Sequence, residues 1–294
     1  MIGTSGTTIL FLDYESEIAS VTSIHIDDQQ PVFQQQGDLL LPTTLAQGPW
    51  YPGTAHGSAM LLMAALAVER LEFQQPMQVV RLTVDMMKAA PIDAIELNTE
   101  VRKSGRYMTV VDISICCKGE EYVRASALCF RTSEVPVIDR LKYQGPTFTL
   151  PGPLPADYFE VSARRPGFHH ALDIQLDVDT KPALIWIRLK QPLLPDFEVT
   201  PLLRVALAAD WTYSVPAMAQ RLLTGEAFDS QPFYGINPDT TLNLQRPAQG
   251  EWIGIQTHAT FDDLGAGTAV GQIFDKDGAV GFCSQSVLIR PRKA

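Results

Sequence analysis

Between Ala59 and Val68 the chain carries no polar side chain. The run Ala59-Met60-Leu61-Leu62-Met63-Ala64-Ala65-Leu66-Ala67-Val68 consists mostly of strong helix formers. A helix apolar on every face has to be buried all round. It is far shorter than the roughly 20 residues that span a bilayer, so protein must wrap it. The turn-rich stretch Gly48-Pro49-Trp50-Tyr51-Pro52-Gly53 delivers the chain to His56-Gly57-Ser58 at the start of this helix. Four runs rich in β-branched residues and alternating with period two follow: Val79 to Lys88, Ile95 to Lys103, Tyr107 to Cys117 and Glu121 to Arg131. One buried helix enclosed by antiparallel strands is therefore expected.

The same order returns in the second half. Thr200-Pro201 supplies an N-cap and first-turn pair for a helix through Leu202 to Asp210, which Pro216 is expected to kink or end. Strands are expected at Thr240 to Gln245, Trp252 to Thr260, Gly267 to Phe274 and Val280 to Ile289. Pro247 lies 156 positions after Pro91, while Gly278 and Arg290 lie 159 after Gly119 and Arg131. A near-constant offset indicates duplication. The segment Thr132 to Pro166 is rich in proline and glycine, as a connection would be. With 294 residues, more than one core usually holds, the chain divides into units over 1–135 and 167–294, joined by 136–166. Thr8 to Phe33 alternates only weakly and reads as strand at most.

Lys plus Arg total 23 against 33 Asp plus Glu, a net charge of -10, and no basic tract suited to a phosphate backbone is present; nucleic acid is not an expected partner. Met1 to Asp13 lacks the basic region of a secretory signal, and with no apolar run long enough for a membrane span the expected location is cytoplasmic. Cys116, Cys117, Cys129 and Cys283 have neither C-x-x-C spacing nor a histidine at metal-ligand spacing, and read as buried, reduced thiols.

A buried helix wrapped by a curved antiparallel sheet, twice in tandem, is an α+β double hotdog. The residues Gly48-Pro49-Trp50, Gly53, His56-Gly57, Arg81-Leu82-Thr83-Val84-Asp85 and Gly105-Arg106 resemble the first half of TesB-like (acyl-CoA thioesterase II-like) proteins. Ala209-Asp210, Ile236-Asn237-Pro238-Asp239-Thr240-Thr241, Arg246-Pro247, Gly250-Glu251-Trp252 and Asp277-Gly278 leading to Ser284-Gln285-Ser286 resemble the second. The resemblance spans about Phe33 to Arg290. It implies an acyl-CoA thioesterase acting on an acyl-CoA or other acyl thioester and, by analogy, assembled as a homo-oligomer.

Asp210 ends an apolar helical stretch, where a carboxylate needs a partner or a task. Around Ala64 and Ala65 the first helix has no acid, so one site per chain is expected. A functional carboxylate is expected, with a structural, hydrogen-bonded aspartate near the helix end as the alternative. The resemblance implies an aspartate on the second helix, a threonine or serine on the next strand and a glutamine on the last, together holding a water. Asp210, Asn237 and Gln285 match those places. Asn237 departs from the pattern because an amide has no hydroxyl, though it can still hydrogen-bond water; Thr240 and Thr241 lie near enough in sequence to stand in. Alternation from Phe282 to Leu288 aims Gln285 to one face with Cys283 and Val287.

At the first helix, the unpaired N–H groups and positive dipole end suit a thioester oxygen gaining charge, and Gly57 lets backbone approach it. The expected substrate contacts are His56, Gly57 and Thr241. A capping role for His56 is the alternative. His25, His169, His170 and His258 read as structural. Arg102, Lys103 and Arg106, or Arg290, Arg292 and Lys293, are candidates to meet the phosphates of coenzyme A.

No G-x-S-x-G elbow, H-E-x-x-H, phosphate loop or dinucleotide fingerprint occurs, and neither a metal nor a redox cofactor is implied. Two other readings stay open. A double-hotdog dehydratase or enoyl hydratase would pair His56 with Asp210, but His56 lacks the glycine and proline that follow the dehydratase histidine. An acyl-thioester binding module without turnover would explain Asn237.

Overall fold

The computed structural model describes residues 27, 29–49, 51–142, 149–155, 158, 167–226 and 232–292. Trp50, His25, Lys293, Thr8 to Ile26 and, in the proline-rich connection, residues 143–148, 156–157 and 159–166 lie outside them.

The first unit runs β1 (Phe33–Gln36), β2 (Leu39–Pro42), α1 (Gly57–Glu69), β3 (Met77–Met86), β4 (Ile95–Ser104), β5 (Met108–Cys117) and β6 (Glu120–Arg131). The second runs β7 (Leu172–Asp177), β8 (Leu184–Leu189), α2 (Pro201–Ala209), α3 (Ser214–Thr224), β9 (Phe233–Ile236), β10 (Asp239–Leu244), β11 (Ile253–Phe261), β12 (Ala266–Asp275) and β13 (Gly278–Pro291). All strand pairs are antiparallel, in the order β1-β2-β4-β5-β6-β3-β10-β13-β12-β11-β8-β7, with β9 added on β13. The six strands on one side of the β3–β10 seam mirror the six on the other. Thr83 faces Thr241 across that seam, and Thr241 Oγ1 donates to Thr83 Oγ1 at 3.2 Å, which marks the pseudo-twofold axis.

Every residue of α1 from Ser58 to Val68 is buried. The sheet of the first unit wraps one side of this helix, and α2 closes the other. Burying each of its leucines stabilises the fold by roughly 1.5–3 kcal/mol. Alternation sets the inward face of the strands: Val111, Ile113 and Ile115 on β5 and Val123, Ala125 and Ala127 on β6 all point into one core.

Several features differ from the sequence expectations. Strands β1, β2, β7, β8 and β9 were not anticipated, although Leu172, Ile174 and Leu176 on β7 alternate inward with the period of a half-buried strand. Pro216 neither kinks nor ends α2, which stops at Ala209; it sits in the first turn of α3, where its missing N–H would have had no intrahelical acceptor. That third helix was likewise not expected. The four cysteines are free thiols, and Cys117, Cys129 and Cys283 are buried while Cys116 is partly so.

Candidate active site

Helices α1 and α2 pack together so that the start of α1 meets the end of α2. His56 is the N-cap of α1 and Asp210 the C-cap of α2. Thirteen residues of largely apolar helix leave Ser58 as the one hydroxyl in α1. Its Oγ donates to Asp210 Oδ2 at 3.1 Å, and Asn237 Nδ2, just after β9, donates to Asp210 Oδ1 at 2.9 Å. His56 Nδ1 lies 3.3 Å from Asp210 Oδ2 and 3.1 Å from the amide nitrogen of Ser58. One nitrogen cannot accept from that amide and donate to the carboxylate at once. An unprotonated Nδ1 would set its lone pair against the anion, so the carboxylate favours a proton on Nδ1.

Gly57 is fixed by contact. A Cβ there would stand 2.5 Å from Asp210 Oδ1 and 2.7 Å from Oδ2, so only glycine lets the carboxylate lie against the first turn of α1. That turn also presents the positive end of the helix dipole to the anion. Burial alone would raise the pKa of Asp210, which is 7% exposed. Its hydrogen bonding and charge interaction with His56, then the bonds from Asn237 and Ser58, outweigh burial and hold the carboxyl below the ordinary aspartate value. Asp210 is therefore ionised at neutral pH.

Gln285 reaches the cluster from β13, on the inward face it shares with Cys283 and Val287, as alternation requires. Its Oε1 accepts from Tyr213 N–H at 2.8 Å, and Nε2 donates to Asp210 O at 3.0 Å and to Thr240 Oγ1 at 2.9 Å. Both amide protons are thus taken by the protein. Gln285 ties together the turn between α2 and α3 beside Asp210. Thr241 is not brought to the cluster. Side chains alternate along β10, so Thr240 points in, fully buried, while Thr241 points out to Thr83.

Two aromatic rings enclose His56. Phe168 stacks on it at 5.0 Å between centroids and Trp211 at 5.5 Å, both tilted 24°. Phe168 is held there because its N–H bonds Gln47 O at 2.8 Å, while His56 N–H bonds Ala46 O at 2.9 Å. Sequence reasoning missed Ser58 and Phe168. A lone hydroxyl at the start of an all-apolar helix was the available signal for the first; the second arrives only through tertiary contact. His169 and His170 adjoin each other at 4.0 Å, and burial, then His170 and His56, push His169 down to about 3.

The other end of the helix pair shows why there is one such cluster. Thr200, the N-cap of α2, donates to Glu69 Oε2 at 2.6 Å, so an acid from the end of α1 also meets the start of α2, though not at the helical position of Asp210. Burial raises the Glu69 pKa against the opposing bond from Thr200. The pairs Thr83–Ser126 and Thr241–Ser284 are equivalent in the two sheets. One position along, Leu82 and Ala127 stand where the second unit has Thr240 and Gln285. Pro201, in the place of Gly57, lacks an N–H. That end has an acid but lacks the glycine N–H and the Thr240–Gln285 pair.

Of the basic clusters, Arg102 pairs with Glu100 at 2.6 Å and Asp112 at 3.4 Å. Arg292 stands over the ring of Tyr234 at 6.0 Å and opposes the burial that raises the Tyr213 pKa, which puts it on the side of the cluster. Among the described residues no group of His, Cys, Asp and Glu could hold a metal ion, and no helix is long and apolar enough to cross a membrane.

Two tandem helix-in-sheet units sharing one buried carboxylate at the junction of their helices define a double-hotdog protein. Residues 46–130 match the acyl-CoA thioesterase N-terminal domain and residues 144–289 the acyl-CoA thioesterase C-terminal domain. The chain belongs to this acyl-CoA thioesterase family and is a thioester hydrolase acting on acyl-CoA. Solved structures agree on the fold. Acyl-CoA thioesterase II TesB2 of Mycobacterium marinum is 15% identical, with 89% of this chain and 95% of that one covered and a TM-score of 0.59. The tesB protein of Mycobacterium avium subspecies paratuberculosis is 16% identical over 88% and 96%, with a TM-score of 0.59. A hot dog fold protein of Alicyclobacillus acidocaldarius is 13% identical over 89% and 96%, with a TM-score of 0.58. No curated protein matches the chain.

Proposed function

We propose that acyl-CoA hydrolysis proceeds by direct attack of water on the thioester, with Asp210 as general base and no covalent intermediate. Asp210 takes one proton of the water as the oxygen attacks the thioester carbon. The Gly57 N–H receives the developing oxyanion, and collapse breaks the carbon–sulfur bond. The proton then passes from Asp210 to the departing thiolate, giving the free acid and coenzyme A. Asn237 gives an N–H to Asp210 and keeps its carbonyl oxygen for the other proton of the water, which is how an amide serves where the family pattern has a hydroxyl. His56 borders the substrate through Nε2. Gln285 positions Asp210.

The observation that carries this reading is the ionised, buried carboxylate pressed against the glycine at a helix start, with donors committed to both oxygens. Arg290 and Arg292 are proposed to face the phosphates of coenzyme A, because Arg292 lies on the Tyr213 side of the cluster. Units over 1–135 and 167–294, joined by 136–166, are likewise proposed, on the support of the mirrored strand order. Four free thiols favour a reducing, cytoplasmic setting. The exposed Phe130, Val270 and Phe282 on the outer face of the sheet favour assembly with further copies.

The test is release of free thiol from short, medium, long and aromatic acyl-CoAs by the parent and by Asp210→Asn. A loss of about a hundredfold or more is the scale for a general base. An Asp210→Asn variant that keeps full turnover would remove Asp210 from the mechanism.

A further inference from the structure

Beside the cluster, among the described residues, lies a buried side-chain donor without a hydrogen-bond partner. Trp211 directly follows Asp210, is 7% exposed, and has its indole Nε1 buried without a hydrogen-bond partner. A buried tryptophan ordinarily finds an acceptor for this proton, since the indole N–H can only donate and leaving it unpaired is costly. Of the other side-chain donors here, Ser58 Oγ and one N–H of Asn237 are committed to Asp210, and Gln285 Nε2 to Asp210 O and Thr240. Trp186 Nε1 and Thr257 Oγ1 are also buried and unpaired, but they belong to β8 and β11. Trp211 alone among these lies against His56, with ring centroids 5.5 Å apart.

The indole is also held still. One face stacks near the imidazole, and Gln285 fixes the backbone on both sides by bonding Asp210 O and Tyr213 N. A rigid, desolvated donor at a reacting centre is worth more than one that must reorient. We propose that Trp211 Nε1–H is a substrate-binding group, donating to an acceptor oxygen of the acyl thioester: the thioester oxygen itself or an oxygen carried on C3 of the acyl group. This rests on the hydrolase mechanism above and adds a substrate contact to it.

The experiment replaces Trp211 with 3-benzothienylalanine, which keeps the shape of the indole and exchanges N–H for sulfur, beside Trp211→Phe. Thiol release is measured with butyryl-CoA and 3-hydroxybutyryl-CoA, and Tm for each protein. The sulfur isostere is expected to lose about tenfold or more in kcat/KM, the scale of one hydrogen bond in a dry site. Its Tm should hold or rise, because an unpaired buried donor has gone. An equal loss on both substrates assigns the bond to the thioester oxygen. A loss confined to 3-hydroxybutyryl-CoA assigns it to C3. An active parent whose isostere hydrolyses both substrates within about twofold overturns the inference and leaves the mechanism standing. An isostere whose lost activity comes with a lowered Tm also overturns it, since the indole would then be structural. A parent that hydrolyses no acyl-CoA overturns both.

Discussion

Gly57→Ala tests the junction of the two helices most directly. The new Cβ would stand 2.5 Å from Asp210 Oδ1, 2.7 Å from Oδ2 and 2.9 Å from Cγ. Carbon–oxygen contacts in proteins settle near 3.3 Å, so the carboxylate or the helix start has to give by about 0.8 Å. Asp210 has little freedom to give, with Asn237 at 2.9 Å on one oxygen and Ser58 at 3.1 Å on the other. A shift of that size stretches at least one bond past its useful range. A hydrogen bond to a charged group contributes about 1.5–3 kcal/mol, and the better helix propensity of alanine returns about 0.5–1 kcal/mol at most. The net loss is about 1–2 kcal/mol, or a Tm lower by roughly 2–8 °C for a domain of this size. Catalysis should suffer more, because misplacement by about 1 Å costs on the order of a hundredfold. Thermal unfolding and steady-state thiol release measure the two effects. Gly152→Ala is the control, since a Cβ there meets nothing within 4 Å. A Gly57→Ala enzyme with parental kcat/KM and Tm would refute the argument that the carboxylate is seated against this glycine.

The depressed pKa of Asp210 fixes a pH dependence. Its folded value lies below its unfolded one, so its contribution to stability is complete above about pH 4 and is lost as pH falls through the folded value. Urea unfolding between pH 5 and pH 2 should show a fall in the parent that Asp210→Asn lacks, and the acid limb of kcat/KM should lie below the ordinary carboxylate range. Parallel stability curves for the two proteins would contradict the assignment. Gln285→Ala leaves Tyr213 N–H, Asp210 O and Thr240 without their partner; it should lower stability by about 2–4 kcal/mol and kcat/KM by at least about tenfold, read by urea unfolding and thiol release. Thr241→Val removes only the 3.2 Å bond to Thr83 on the far face, so kcat/KM should stay within about twofold while stability drops by about 1 kcal/mol or less; a large loss of turnover would return Thr241 to the site.

The sequence was most legible where one physical requirement dominated. An all-apolar helix must be buried, and α1 is; period-two alternation set β3 to β6 and β10 to β13 within a few residues. Gly57 and Asp210 stood out as a glycine and an acid in places that needed explaining. Pro216 misled because one residue both breaks a helix and suits its first turn, and only tertiary packing settles which. The choice between Thr240 and Thr241 turned on strand register, where a step of one residue exchanges core for surface. Glu69 and Thr200 meet across 131 positions, a pairing no local pattern announces.

The β3–β10 seam also has a consequence in time. Thr241 lies 158 residues beyond Thr83, so a ribosome working at about 5–20 residues per second needs roughly 8–30 s to deliver the partner strand. Once β6 has followed, within that interval, the first unit has its sheet but an unpaired edge along β3, and the nearest imitation of β10 is β3 of another nascent chain. The closing of that edge by β10 is also the step that brings the unit carrying Asp210 against Gly57, so recovery of hydrolysis during refolding should report docking of the two halves rather than formation of either one.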